Sequence, residues 1–285
     1  MLKRCLPFLA VTVFLSACDP PNGVIVMGEQ VKEPKKIISL SPSTTEILGS
    51  LLLDNVLVGK TSSCNYPPGI AGAIVVQGTK PNYEMIVNLK PDLIIYDAKL
   101  YAAADIDKLK VTGARLYRMD VNSLNDLQEF LLKFGSETGE ATMASKTADE
   151  IYAAAEAARA AATGPKVRVA VVTGGGSSLY AAGKGSFLAD VVKACGGEIV
   201  GPDGQKFAQV PVEQFIKEDP EMILTADAPG QLFADPRLST VTAVRKKRVF
   251  SVKPDILLRT TARIKGLIAN LSTLVGDVQR EKAGS

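Results

Sequence analysis

The chain contains no histidine and no tryptophan. Without histidine, neither a His/Cys zinc centre nor a His-dependent catalytic triad can be built. Neither sign of charge dominates: 33 Lys and Arg face 30 Asp and Glu. With no basic stripe interleaved with aromatics, that balance argues against a nucleic-acid partner. The one basic cluster, "RKKR" at 245–248, reads as a solvated turn before a strand. The N-terminal apolar run, Cys5 to Ala17, falls short of the about 20 residues that a spanning helix needs. Cysteine is scarce, and only Cys64 and Cys195 lie in the body of the chain. They could bridge in an exported protein if their Cα atoms came within about 7 Å, but two separate buried thiols is the simpler reading. What remains is ordinary globular material: 285 residues, 46% apolar and 22% charged, enough for two domains with real cores.

The N-terminus has its own logic. Lys3 and Arg4 precede the apolar run, which ends in "LSAC". Charge, length and small-residue site together have signal-peptide form over residues 1–17. The final Cys18 makes the segment resemble a bacterial lipobox, which implies that Cys18 carries a diacylglycerol thioether and anchors the exported protein to a membrane. Residues 18–35, rich in Pro, Gly and charge, read as the tether.

From residue 36 strand and helix signals alternate, the pattern of parallel sheets flanked by helices. Strands are predicted at 37–40, 74–76, 93–96 and 115–119, with helices at 84–88, 106–112 and 124–134. Ser43 followed by Glu46 has the spacing of a capping box, so a helix is predicted to begin at Thr44. The turn ahead of it lies at the carboxyl end of a strand, where α/β proteins place ligands. Residues 137–162 are Ala-rich without proline, and predict one helix of about 39 Å. After "TGP" at 163–165 the α/β pattern restarts, with strands at 167–173, 222–226 and 249–251 and helices at 187–195, 213–217 and 261–276. The Gly-rich stretch 171–186 lacks the spacing of a nucleotide-binding loop and reads as a tight strand-to-helix connection lining a cleft. The predicted architecture is therefore two Rossmann-like α/β lobes, 36–136 and 164–285, joined by one long rigid helix over 137–163. A ligand would sit between the lobes, and no catalytic constellation or metal-ligand cluster is evident.

One sentence is written twice. "NYEMIVNLKPDLIIYD" at 82–97 and "PVEQFIKEDPEMILTAD" at 211–227 each carry Glu, then Pro seven residues on, then an acid and an apolar run. With "IISLSPSTTEIL", "CNYPP" and "GKGSFLADVVKACGGEIV", these stretches resemble the periplasmic binding proteins of ABC importers for vitamin B12, haem and iron–siderophores, the cobalamin binders being nearest. The resemblance covers about residues 36–275. It implies a monomeric, non-enzymatic binder that delivers a small molecule to a permease dimer with its ATPase. It also implies that Glu84 and Glu213, one per lobe, dock on arginines of the two permease copies. As first-turn acids they would favour their helix macrodipoles as well.

For the ligand, the resemblance implies a corrinoid, cobalamin first, with no resident cofactor and no protein-held metal. Asp255 and Arg259 would hold its amide rim, Tyr180 and Phe207 would cover its faces, and Ser43 and Tyr96 would line the pocket. Gly78, Ser63 and Asp97 stand where the cobalamin binder has aromatics, which implies a more open and polar pocket. Haem, with Tyr as the only ligand type, and a ferric siderophore, which would want further Arg or Lys in the cleft, are the alternatives. A ligand sensor, or an enzyme using the Gly-rich stretch, is the alternative of another class.

Overall fold

The computed structural model describes residues 33–77, 80–175 and 178–284. The predicted leader, Cys18, the predicted tether through residue 32 and Gly78 lie outside the described residues.

The first lobe is a parallel sheet in the order β3-β2-β1-β4-β5. Its strands are β1 (Ile37–Ser39), β2 (Leu57–Thr61), β3 (Ile74–Gln77), β4 (Leu93–Asp97) and β5 (Arg115–Met119). The helices α1 (Pro42–Ser50), α2 (Tyr83–Leu89), α3 (Ala103–Lys110) and α4 (Leu124–Thr138) join and flank them. The central strands are buried on both faces, as the unbroken apolar runs "IIS" and "LIIY" require. The second lobe is built on β6 (Val167–Gly175), which pairs in parallel with β10 (Met222–Thr225) and β8 (Gly197–Ile199). Beyond β10 lies β11 (Val249–Ser251), and on the other side β7 (Ser178–Ala181) and β9 (Ala208–Gln209) run antiparallel. Its helices are α6 (Phe187–Ala194), α7 (Val212–Glu218), α8 (Gly230–Ala234), α9 (Thr242–Arg245), α10 (Pro254–Leu257) and α11 (Ile264–Ala283). The Gly-rich stretch is thus not a simple strand-to-helix connection. It folds into the β6–β7 hairpin before α6 begins.

The linking helix α5 (Ala141–Ala161) is shorter than the composition predicts. Gly139 adopts φ 87°, a left-handed cap that ends α4 at Thr138, and the chain restarts. Small buried residues, Ala144, Ala148, Ala155 and Ala158, let α5 lie close against α4, and it also packs on α11. The last helix runs seven residues past the predicted end at Gly276 because its tail is pinned. Val278 is buried, Lys282 pairs with Glu221 at 2.9 Å, and Glu281 pairs with Lys246 and with Arg248. That pairing buries Arg248, so the "RKKR" run is not wholly solvated.

The repeated sentence folds twice in the same way. α2 and α7 are each seven residues, each closed by a left-handed non-glycine, Lys90 (φ 49°) and Asp219 (φ 43°), before the proline. The acid after each proline then receives backbone N–H groups near the start of a central strand. Asp92 accepts from Lys35 at 2.9 Å and Lys36 at 3.0 Å, and Glu221 accepts from Arg168 at 3.0 Å. Part of the repeat is therefore structural: it ties β4 to the start of β1 and β10 to the start of β6.

Cys64 and Cys195 are free and buried in different places. Cys64 Sγ lies 3.0 Å from Thr45 Oγ1 and 3.1 Å from Thr61 Oγ1, and Cys195 donates to the Ile268 carbonyl. Burial pushes the Cys195 thiol up to about 12.

Candidate functional site

A cleft of about 270 Å³ opens between the lobes. On one side it is walled by Ser43 of α1, by Asp97 at the end of β4 and by Lys99 and Leu100 after it. On the other stand the first turn of α6, the loop Gln205–Phe207 and the segment Leu257–Thr260. The first-lobe wall lies at the carboxyl ends of the parallel strands β1 and β4, where backbone turns leave side chains free to face a ligand. Gly183 sets the height of the 205–207 loop: a Cβ there would lie 2.2 Å from the Gly204 carbonyl oxygen, and its own N–H donates to the Lys206 carbonyl at 3.2 Å. Leu100 and Leu258, 62% and 47% exposed, give the cleft an apolar surface on both lobes.

The first turn of α1 departs from the predicted capping. Pro42 occupies the first helical position, where a missing N–H costs nothing, and Ser41 is the cap, accepting from Thr44 N at 3.0 Å. Ser43 is inside the helix, and its Oγ accepts from Thr260 N at 3.2 Å across the cleft. Glu46 does not cap either. Its side chain is 1% exposed and pairs with Arg259 at 2.8 Å and with Arg263 through both carboxylate oxygens. Arg259 Nη1 also donates to Asn65 Oδ1 at 2.7 Å and Nη2 donates to the Ser63 carbonyl at 3.3 Å, while Asp255 Oδ1 forms an ion pair with Nη2 at 2.9 Å. Asn65 in turn donates to Asp255 Oδ2 at 3.2 Å, and Arg263 stacks over Tyr66, 4.4 Å from the ring centroid. The network joins the two lobes at the floor of the cleft.

Three of the six predicted ligand residues, Ser43, Phe207 and Arg259, line the cleft. Arg259 does so with its guanidinium already bonded to Glu46, Asn65 and the Ser63 carbonyl and ion-paired with Asp255. Asp255 is its partner rather than a separate wall of the cleft. Tyr96 is 7% exposed in the first-lobe core, edge-on to Tyr101 at 6.1 Å, so it does not line the pocket. Side chains alternate along a strand, so burying Tyr96 turns Asp97 toward the cleft. Tyr180 stands half exposed on β7, because its neighbours Leu179 and Ala181 take the buried face, and it is not among the residues that line the cleft. Residues that sequence reasoning missed are Lys99, Lys206, Thr260, Asn65 and Glu46. Two were adjacent to residues it named: Lys206 lies one before Phe207, and Thr260 one after Arg259.

Burial raises the Asp97 carboxyl above the usual range, against the opposing pull of the Lys99 N–H and of the Lys99 and Lys206 charges; Asp120 adds to the rise. Glu84 and Glu213 sit in the first turns of α2 and α7, both on exposed surface.

A sequence profile of the periplasmic binding protein family matches residues 37–256. The chain belongs to that family. This periplasmic binding protein is 30% identical over 247 residues to an uncharacterized ABC transporter substrate-binding lipoprotein of Bacillus subtilis, covering 82% of this chain and 77% of the relative. It is 27% identical over 201 residues to the vitamin B12-binding protein of Salmonella choleraesuis, covering 69% of this chain and 74% of that one. Among solved structures, the periplasmic vitamin B12-binding protein of Vibrio cholerae superposes with a TM-score of 0.77 at 24% identity, covering 86% of this chain and 98% of the other. That likeness is one of fold: two α/β sheets on a helical backbone. As in its relatives, the role of this periplasmic binding protein is substrate binding for transport and not enzymatic turnover. No described helix is long and apolar enough to cross a membrane.

Proposed function

We propose that the chain captures a corrinoid, cobalamin first, between its two lobes and delivers it to the permease dimer of an ABC importer. The observation that carries the binding role is the interlobe cleft itself, walled by side chains from both lobes. The vitamin B12-binding relatives support the choice of ligand. Phe207, Leu100 and Leu258 offer apolar surface to the ring, and Ser43 and Thr260 mark the polar floor beneath it. Glu84 and Glu213, exposed on equivalent helices of the two lobes, are the docking acids for arginines of the permease. Cys18 is the lipid-bearing residue that keeps the exported binder beside its transporter.

A second reading, an anionic iron complex or haem, is favoured by one observation: Lys99 and Lys206 line the cleft from opposite sides. The experiment is the visible spectrum of purified protein mixed with cobalamin, haemin or a ferric siderophore and then desalted. Retained corrin absorbance supports the first reading, retained haem or ferric-chelate absorbance replaces it with the second, and consumption of ligand would return the chain to the enzymes.

A further inference from the structure

The "RKKR" run at 245–248 closes α9 and leads into β11. It belongs to a basic pole at one end of the second lobe. β6, β10 and β11 run parallel, so the residues just ahead of them, Lys166, Glu221 and Arg248, come together with the last turn of α11. None of these residues lines the cleft. The acids of the pole are claimed. Glu281 serves both Lys246, at 2.6 Å, and Arg248. Glu221 pairs with Lys282 at 2.9 Å and with Arg168 at 3.6 Å. Asp219 pairs with Arg168 at 3.4 Å and accepts from Thr242 N at 2.7 Å, and Asp277 is paired with Arg280.

Lys166, Arg245 and Lys247 are left over. All three are exposed, and among the described residues none has a carboxylate within ion-pair distance. Each is fixed in the pole by a neighbour. The Lys166 carbonyl accepts from Lys282 Nζ at 2.9 Å, and Arg245 Nη2 donates at 3.4 Å to Thr242 Oγ1, which itself donates to Asp219. Lys247 sits in the left-handed region at φ 56°, in the turn between the paired Lys246 and Arg248. Two negative elements oppose them. One is Glu198, exposed and next to Arg168 in the sheet register; the other is the carbonyl end of α11, a fraction of one charge. Together they fall short of the unpaired cations, and Glu281 is already shared between two. In a chain whose charges nearly balance, 33 basic against 30 acidic, this pole is a local excess.

We propose that the pole is a docking surface for an anionic phospholipid bilayer, with Lys166, Arg245 and Lys247 meeting the phosphates of the lipid heads. The proposal rests on the reading of Cys18 as a lipid anchor and deepens it. Residues 18–32 span at most about 50 Å when fully extended, so a body anchored through Cys18 stays within reach of the lipid surface. A lysine or arginine held at an anionic surface strengthens binding about fivefold, and an acyl anchor joined to a basic patch holds better than either alone. The surface uses none of the residues assigned to the ligand or to the permease. The anchor would keep the binder near the membrane, and the pole would set which end of it rests there.

Vesicles test it. The Cys18→Ser chain, purified without lipid, is mixed with vesicles of phosphatidylglycerol and phosphatidylcholine, or of phosphatidylcholine alone, and the bound fraction is read by sedimentation. Binding to the phosphatidylglycerol vesicles should be about tenfold stronger or more, and should weaken as salt rises. Adding Lys166→Gln, Arg245→Gln and Lys247→Gln should abolish that preference, and Lys166→Arg, Arg245→Lys and Lys247→Arg should keep it. Lys80→Gln, Lys133→Gln and Lys146→Gln make the same charge change on exposed surface elsewhere and should also keep it. Equal loss in the two Gln variants overturns the pole as the site, since overall charge then suffices. Absence of the preference, or a preference undiminished in the first Gln variant, overturns it as well. Capture of polyglutamate without vesicle binding reassigns the pole to an acidic protein. If the first Gln variant fails to fold, salt decides on the parent chain: a preference insensitive to salt overturns the proposal. Because the tested chain carries no lipid, each of these failures leaves the anchor reading standing, and that reading fails separately if wild-type protein is found without lipid.

Discussion

Glu46 and Arg259 stand 213 positions apart in the chain and meet at 2.8 Å between the lobes, with Arg263 on the other side of the same carboxylate. The pair changes what a variant at either position should do. Replacing Glu46 by Gln leaves two guanidinium groups at the interlobe floor with only Asp255 for charge. Losing one partner of a buried network costs on the order of 3 kcal/mol. The thermal midpoint of Glu46→Gln should therefore fall by several degrees. Arg259→Ala should also lose stability, not ligand affinity alone, because it strips Glu46, Asn65 and Asp255 of a shared donor. Scanning calorimetry of both free variants checks this. Midpoints equal to wild type would mean that the network is not a stabilising join.

The proposed docking acids should separate transport from binding. Glu84→Ala and Glu213→Ala remove exposed carboxylates that are not part of the cleft lining, so ligand titrations should be unchanged. Uptake in reconstituted vesicles should fall in each, and further in the double variant. A matching loss of ligand affinity would place these acids in the binding site instead.

Cys18 should decide where the protein resides. Cys18→Ser removes the thiol that would receive the diacylglycerol, and two acyl chains are what stable anchoring takes. The variant should move from the membrane fraction to the soluble one, and mass spectrometry should find lipid on the wild type alone. Wild-type protein without lipid sinks the prediction.

Glu221 gives a pH signature. Burial by itself would raise its carboxyl, but the Arg168 N–H and the Lys282 ammonium outweigh that and hold it below the usual range. A folded value below the unfolded one means a contribution fully present above the unfolded carboxylate range, about 4.3, and lost as pH falls through the folded value. At pH 7, Glu221→Gln should cost about 1 kcal/mol in urea denaturation. The gap between variant and wild type should narrow as pH falls below the unfolded value and close once it passes the lower folded one. A gap that persists at low pH would assign the loss to packing.

The sequence by itself determined the periodic features of this protein. Apolar runs such as "LIIY" specified buried parallel strands, and the paired Glu-to-Pro sentences specified two equivalent helix–strand units. The family likeness was legible for the same reason, since its motifs sit on those local elements. Helix ends were legible only where a local stop existed. Gly139 broke the long helix inside a run whose composition favoured continuation, and α11 was carried past Gly276 by contacts with Glu221 and Arg248 that spacing does not encode. The site was decided by tertiary structure. Tyr96 and Asp97 are adjacent, yet one enters the core and the other faces the cleft, because a strand turns successive side chains to opposite faces and packing chooses which is inside. Glu46 has the spacing of a helix cap, but Arg259 and Arg263, brought to it from the far end of the chain, claim its carboxylate. Lys99 and Lys206 carry no motif, and only the approach of the two lobes makes them neighbours. A local pattern fixes the period of an element, whereas the partner of a charged group is set by whichever distant surface packs against it.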